Sequence, residues 1–137
     1  MFFFLVCHSP LGGAFTKAIK HSLDNKIHDL VVIDVLPSQT PKQVSNILHQ
    51  KWITKKSPKS IIVFTDVIGA TPSNGLHLWL SNTSVVYRGM AGINMPIFLS
   101  ALSHKGNDLE AIFCKMKRAS SNGMTAIFLW IKPRISD

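Results

Sequence analysis

Two side chains that can do chemistry together stand at matching places in the sequence. Phe2-Phe3-Phe4-Leu5-Val6-Cys7 ends in His8 and then Ser9-Pro10-Leu11-Gly12-Gly13. Ile61-Ile62-Val63-Phe64-Thr65 ends in Asp66 and then Val67-Ile68-Gly69-Ala70-Thr71-Pro72. Neutral imidazole is a nucleophile at physiological pH. A carboxylate bonded to one ring nitrogen fixes the tautomer, exposes the lone pair of the other and stabilises the positive charge that a new bond creates. A phosphoryl group is a fitting acquisition for such a pair. Backbone N–H groups of Leu11, Gly12 and Gly13, at the start of a helix, can receive its oxygens, and the hydroxyl of Thr71 can add a donor or serve as a helix cap.

A lone histidine at a strand end is usually structural, and Asp66 alone would read as a turn cap. Their joint placement at one end of adjacent strands is what favours chemistry. His21, His28, His49, His77 and His104 have no partners at ligand spacing and read as surface residues, so no metal is expected. Cys7 and Cys114 stand far apart and read as reduced, small hydrophobes. Neither Gly12-Gly13 nor Gly69 leads into Gly-Lys-Ser/Thr, which argues against a nucleotide-binding P-loop.

The elements that must position the pair follow from the apolar pattern. Continuous apolar runs predict buried parallel strands at 2–7, Leu30 to Leu36, 60–66 and about Ser84 to Met90. Helices are expected from Gly12 to about Asn25, after the Thr40 cap with Pro41 first, and after a Thr71 cap with Pro72 first. Two more contain Phe98 to Leu102 and Leu109 to Met116, the second capped by Asn107 or Asp108. Met124 to Ile131 reads as a last, edge strand. This order predicts an α/β fold: an open, mostly parallel four-stranded sheet in the order 2-1-3-4, with helices on both faces and a C-terminal edge strand. His8 and Asp66 then meet where the strand order reverses, the usual ligand crevice of such sheets.

At 137 residues, 46% hydrophobic and 16% charged, the whole chain, 1–137, reads as one domain with a substantial core. No apolar stretch reaches the length of a membrane span. The Phe-rich start lacks a basic leader, so a cytoplasmic location is expected. Fifteen Lys and Arg against seven Asp and Glu give a formal charge of +8. The positive residues are spread over helix ends and faces, and no base-reading element accompanies them, so nucleic acid is not an expected partner.

His8, the segment Asp66-Val67-Ile68-Gly69-Ala70-Thr71-Pro72 with Asn74, and Ala91-Gly92-Ile93-Asn94-Met95-Pro96 together resemble the EIIA component of the mannose family of the bacterial phosphoenolpyruvate:sugar phosphotransferase system (PTS). The resemblance spans roughly residues 1 to 130. It implies that His8 accepts phosphate from the phosphocarrier HPr and passes it to an EIIB domain, with Asp66 orienting the imidazole and Thr71 near the phosphoryl group. It further implies a homodimer that exchanges the C-terminal strand, here 124–131, and membrane contact only through a permease complex. Ser9-Pro10 stands where the family commonly has glycine after the histidine, and Ile68 where some relatives carry an aromatic residue. A regulatory phosphoprotein, whose histidine phosphorylation controls protein binding, is the alternative.

Overall fold

The apolar runs become the interior of a sheet covered on both faces. The computed structural model describes residues 1–23, 27 and 29–127. Four strands, β1 (Phe2–His8), β2 (Leu30–Val35), β3 (Ser60–Thr65) and β4 (Val86–Ala91), pair in the order β2-β1-β3-β4, every pair parallel. Around them, among the described residues, lie α1 (Leu11–Lys20), α2 (Pro41–Thr54), α3 (Thr71–Ser81), α4 (Met95–Leu102) and α5 (Leu109–Asn122). This is the predicted fold class.

Alternate residues of each central strand feed two separate cores. Phe4, Val6, Ile61 and Val63 pack with Val44, Leu48, Leu76 and Trp79 of α2 and α3. Phe3, Leu5, Cys7, Ile62 and Phe64 pack with Ile19 of α1, Phe98 of α4 and Ile112 and Met116 of α5. With no face left for water, Phe3 through Cys7 are all buried, which explains a continuous apolar run instead of an alternating one. Phe4 stacks on Trp79 at 5.7 Å, and Phe64 meets Phe98 edge-on at 5.4 Å.

Helix starts follow local chemistry. Thr40 and Gln43 form a reciprocal capping box ahead of Pro41. Asn94 accepts from the N–H of Ile97, and Asp108 accepts from those of Glu110 and Ala111. Helices α2 and α3 approach at Gly75, where a Cβ would stand 2.5 Å from that of Val44.

Two expectations need correction, and a third falls only partly within the described residues. The cap of α3 is Ala70, and Thr71 is its first helical residue with Pro72 second. The reason is that the chain is still extended at Ala70, whose carbonyl already accepts from the N–H of Asn74. Helix α1 ends at Lys20, not near Asn25: residues 21–23 form turns closing on Ile19, and 24–26 lie outside the described residues. Met124 to Ile127 are exposed and carry no strand, and the rest of the predicted final strand, 128–131, lies outside the described residues. Among the described strands β4 is therefore an edge, with Val86 and Tyr87 exposed.

Candidate active site

Parallel pairing brings the ends of β1 and β3 to one side of the molecule. Val6 stands opposite Thr65, so His8 and Asp66 emerge together at the carboxyl ends of neighbouring central strands. Between β1 and β3 the strand order reverses: β1 connects outward to β2 through α1 on one face, and β3 connects outward to β4 through α3 on the other. The crevice expected at such a point is where the two side chains meet.

Their contact is double. Asp66 Oδ2 accepts from the backbone N–H of His8 at 2.9 Å and stands 2.8 Å from its ring Nδ1. Oδ1 accepts from the N–H of Val67 at 2.9 Å. Burial alone would raise the Asp66 carboxyl. Hydrogen bonds from the backbone and ring of His8 and from Val67, together with the imidazole's charge, outweigh it and hold the group below the usual carboxylate range. An ionised carboxylate only accepts, so the Nδ1 proton lies between the two residues and Nε2 keeps its lone pair. The Asp66 side chain is only 7% exposed while that of His8 is 51% exposed, so the carboxylate is sheltered and the imidazole is open.

The other predicted residues are placed less uniformly. Leu11 opens α1, and its N–H has no hydrogen-bond partner among the described residues. Gly12 and Gly13, expected to offer N–H groups to a phosphoryl oxygen, are already donating: Gly12 to Asp34 Oδ1 at 2.7 Å and Gly13 to Asp34 Oδ2 at 3.0 Å. Thr71 is half-buried at the start of α3, after a loop that turns at Gly69 with φ +81°. Its hydroxyl has no hydrogen-bond partner among the described residues. Ser9-Pro10, joined by a cis peptide bond, begins the turn between His8 and α1.

Two features escaped the sequence reading. Asp34 was visible as the one acid in Leu30-Val31-Val32-Ile33-Asp34-Val35, but its target depends on strand register. Leu11, Leu36, Val67 and Ile68, in the segments that follow β1, β2 and β3, are exposed at the same end of the sheet as His8. Burial pushes the Cys7 thiol up to about 12, with Asp66 and Asp34 adding to the effect, so Cys7 stays protonated. No group of three His, Cys, Asp or Glu side chains suited to a metal ion occurs among the described residues. No helix among them is long and apolar enough to cross a membrane.

The structure thus brings a carboxylate-held histidine to the strand ends of an open parallel sheet. The chain belongs to the EIIA-man family, described as the PTS system fructose IIA component, which it matches over residues 3–117. Membership implies phosphotransfer chemistry in general terms. Among solved structures the chain resembles the phosphotransferase system component EIIA from Streptococcus agalactiae, with 19% identity and a TM-score of 0.78, covering 91% of this chain and 95% of that one. It also resembles the mannose/sorbose specific IIA subunit from Enterococcus faecalis, with 15% identity and a TM-score of 0.78, covering 93% and 95%. A sigma-54 interaction domain protein from Enterococcus faecalis has the same fold at 15% identity, a TM-score of 0.74 and coverage of 88% and 90%. At these identities the likeness is one of fold. No curated protein sequence gives a significant match.

Proposed function

We propose that this chain is a cytoplasmic phosphoryl carrier of a sugar phosphotransferase system, accepting phosphate from HPr on His8 and passing it to an EIIB domain. The observation that carries the reading is the His8–Asp66 contact in a chain of this family: Nδ1 is held by a sheltered carboxylate and Nε2 is left facing solvent. In the forward step Nε2 attacks phosphorus, the Nε2–P bond forms, and the donor N–P bond breaks with its electron pair remaining on the donor. The proton stays on Nδ1, hydrogen-bonded to ionised Asp66, whose negative charge balances the positive charge on the ring. Onward transfer repeats the exchange with the EIIB acceptor as nucleophile.

The phosphoryl oxygens take their donors from Leu11 N–H and the Thr71 hydroxyl, since Gly12 and Gly13 are engaged by Asp34. The exposed side chains of Leu11, Leu36, Val67 and Ile68 offer partner proteins an apolar surface beside the nucleophile. The open outer edge of β4 suits a homodimer in which segment 124–131 of one subunit pairs with the other. A chain ending at Gly123 should then sediment as a monomer.

The deciding experiment is acid-labile phosphate incorporation from phosphoenolpyruvate, enzyme I and HPr, with wild type and His8→Ala in parallel. Labelling of wild type alone is expected. The side chain is half exposed, so His8→Ala should keep the fold, and retained labelling of that variant would remove His8 from its role. The second reading, a regulatory phosphoprotein, draws on the sigma-54 interaction domain protein of the same fold. Discharge of the label onto an added EIIB domain separates the two, since only the carrier needs it.

A further inference from the structure

The N-terminus of α1 lacks the chemistry that helix starts normally carry. Its cap, Pro10, offers no side-chain hydrogen bond, and its first turn contains no acidic residue. Unsatisfied N–H groups at such a place form an anion site. A resident anion fills it from another element, with one Asp34 oxygen on Gly12 N–H at 2.7 Å and the other on Gly13 N–H at 3.0 Å.

The fit is built into the glycines. A Cβ on Gly12 would stand 2.7 Å from Asp34 Oδ1 and 2.8 Å from Val32 Cγ1, and one on Gly13 would stand 3.2 Å from Oδ2. Gly12-Gly13, which in sequence resembles a phosphate cradle, is shaped to receive a carboxylate from β2. The register places that carboxylate one step from the nucleophile: Asp34 pairs with Cys7 and Val35 with His8. Ser9 N–H also donates to Val35 O at 3.0 Å. The turn immediately after His8 is thus tied to the end of β2 at two points. The charge is felt locally as well, because Cys7 responds to Asp34 and Asp66 together.

We propose that Asp34 is a positioning residue for phosphoryl transfer. It fixes the turn between His8 and α1, closes Gly12 and Gly13 to the incoming phosphoryl group, and repels that group so that His8 releases it readily. This rests on the reading of His8 as the phosphoryl acceptor. A cap that served only stability would leave the release of the group unchanged. Asp34→Asn keeps the shape and removes the charge but can accept from only one of the two glycine N–H groups, so the salt dependence of its effect separates the lost charge from the lost hydrogen bond.

The test equilibrates the chain with a fixed ratio of phosphorylated to free HPr and measures the phosphorylated fraction and melting temperature of wild type and Asp34→Asn. Loss of a nearby negative charge should raise the phosphorylated-to-free ratio by roughly fivefold, with the increase shrinking at high salt. An unchanged ratio, whatever the melting temperature does, would reduce Asp34 to a structural cap and overturn the proposal. Wild type that takes no label at all would instead sink the carrier reading, and this proposal with it. Should Asp34→Asn not fold, amide spectra of wild type give the answer. On phosphorylation the Leu11 N–H resonance should move downfield while those of Gly12 and Gly13 stay near their unphosphorylated positions. Equal movement of all three would mean that Asp34 yields its place, and would reject the idea.

Discussion

Asp66 holds His8 by both its backbone and its ring, with Oδ2 2.9 Å from the N–H and 2.8 Å from Nδ1. One carboxylate oxygen therefore fixes where the strand end lies and which ring nitrogen faces outward. The two contacts separate on substitution: His8→Ala removes the ring but retains the backbone donor, so the turn at Asp66 survives in that variant.

Asp66→Asn should slow phosphate acceptance by about a hundredfold or more while leaving the chain folded. An amide can still accept one of these hydrogen bonds but does not stabilise an imidazolium as a carboxylate does. Rapid-quench labelling from phosphorylated HPr measures this, and a rate equal to wild type would rule out the orienting role.

The same carboxylate should make stability depend on acid. Its folded pKa lies below the ordinary carboxylate value of about 3.9. Between the two values the unfolded chain binds the proton that the folded chain refuses. The stabilisation is thus fully present above about pH 4 and is lost as pH falls through the lower folded value. Urea midpoints of wild type and Asp66→Asn should differ by a constant amount from pH 6 down to about pH 4 and draw together as pH falls below it. A gap that stays constant well below about pH 4 would contradict the assignment.

Thiol labelling should divide the two cysteines. Cys114 is exposed, whereas Cys7 is fully buried with its pKa raised to about 12. At pH 8 iodoacetamide should add once to the folded chain, at Cys114, and reach Cys7 only with denaturant. Modification of Cys7 in the native chain, read by peptide mass, would show that the β1 core opens locally.

Gly75→Ala should destabilise the chain by about 1–3 kcal/mol, because the added methyl meets Val44 Cβ at 2.5 Å and the Pro41 carbonyl at 3.0 Å. Adding Val44→Ala vacates part of that space. The double variant should therefore lose less than the sum of the two single losses, as thermal or urea unfolding would show.

Much of this architecture was legible because it obeys periodic rules. β1 and β3 announced themselves as unbroken apolar runs, and Thr40 with Pro41 as a helix start, since burial on two faces and capping each leave a local trace. His8 and Asp66 could be placed together once both were recognised as strand ends of a parallel sheet. Asp34 could not, because its contact with Gly12 and Gly13 arises from the β1–β2 register and spans 22 and 21 residues of sequence. Thr71 misled for a related reason: threonine before proline suits either a cap or a first helical residue, and the carbonyl of Ala70 decided between them.

β1 has a strand on each side and a layer of helices on each face, whereas the Val67–Gly69 turn is exposed along its whole length. In deuterated water the amides of Phe4 to Val6 should exchange only when the entire chain unfolds, while those of Ile68 and Gly69 exchange through local opening. His8 is thus anchored at the end of the segment expected to exchange slowest, and its carboxylate partner leads into one expected to exchange fast. On the reading proposed above, accommodating a docking partner would fall to that turn, beside an imidazole fixed by its strand.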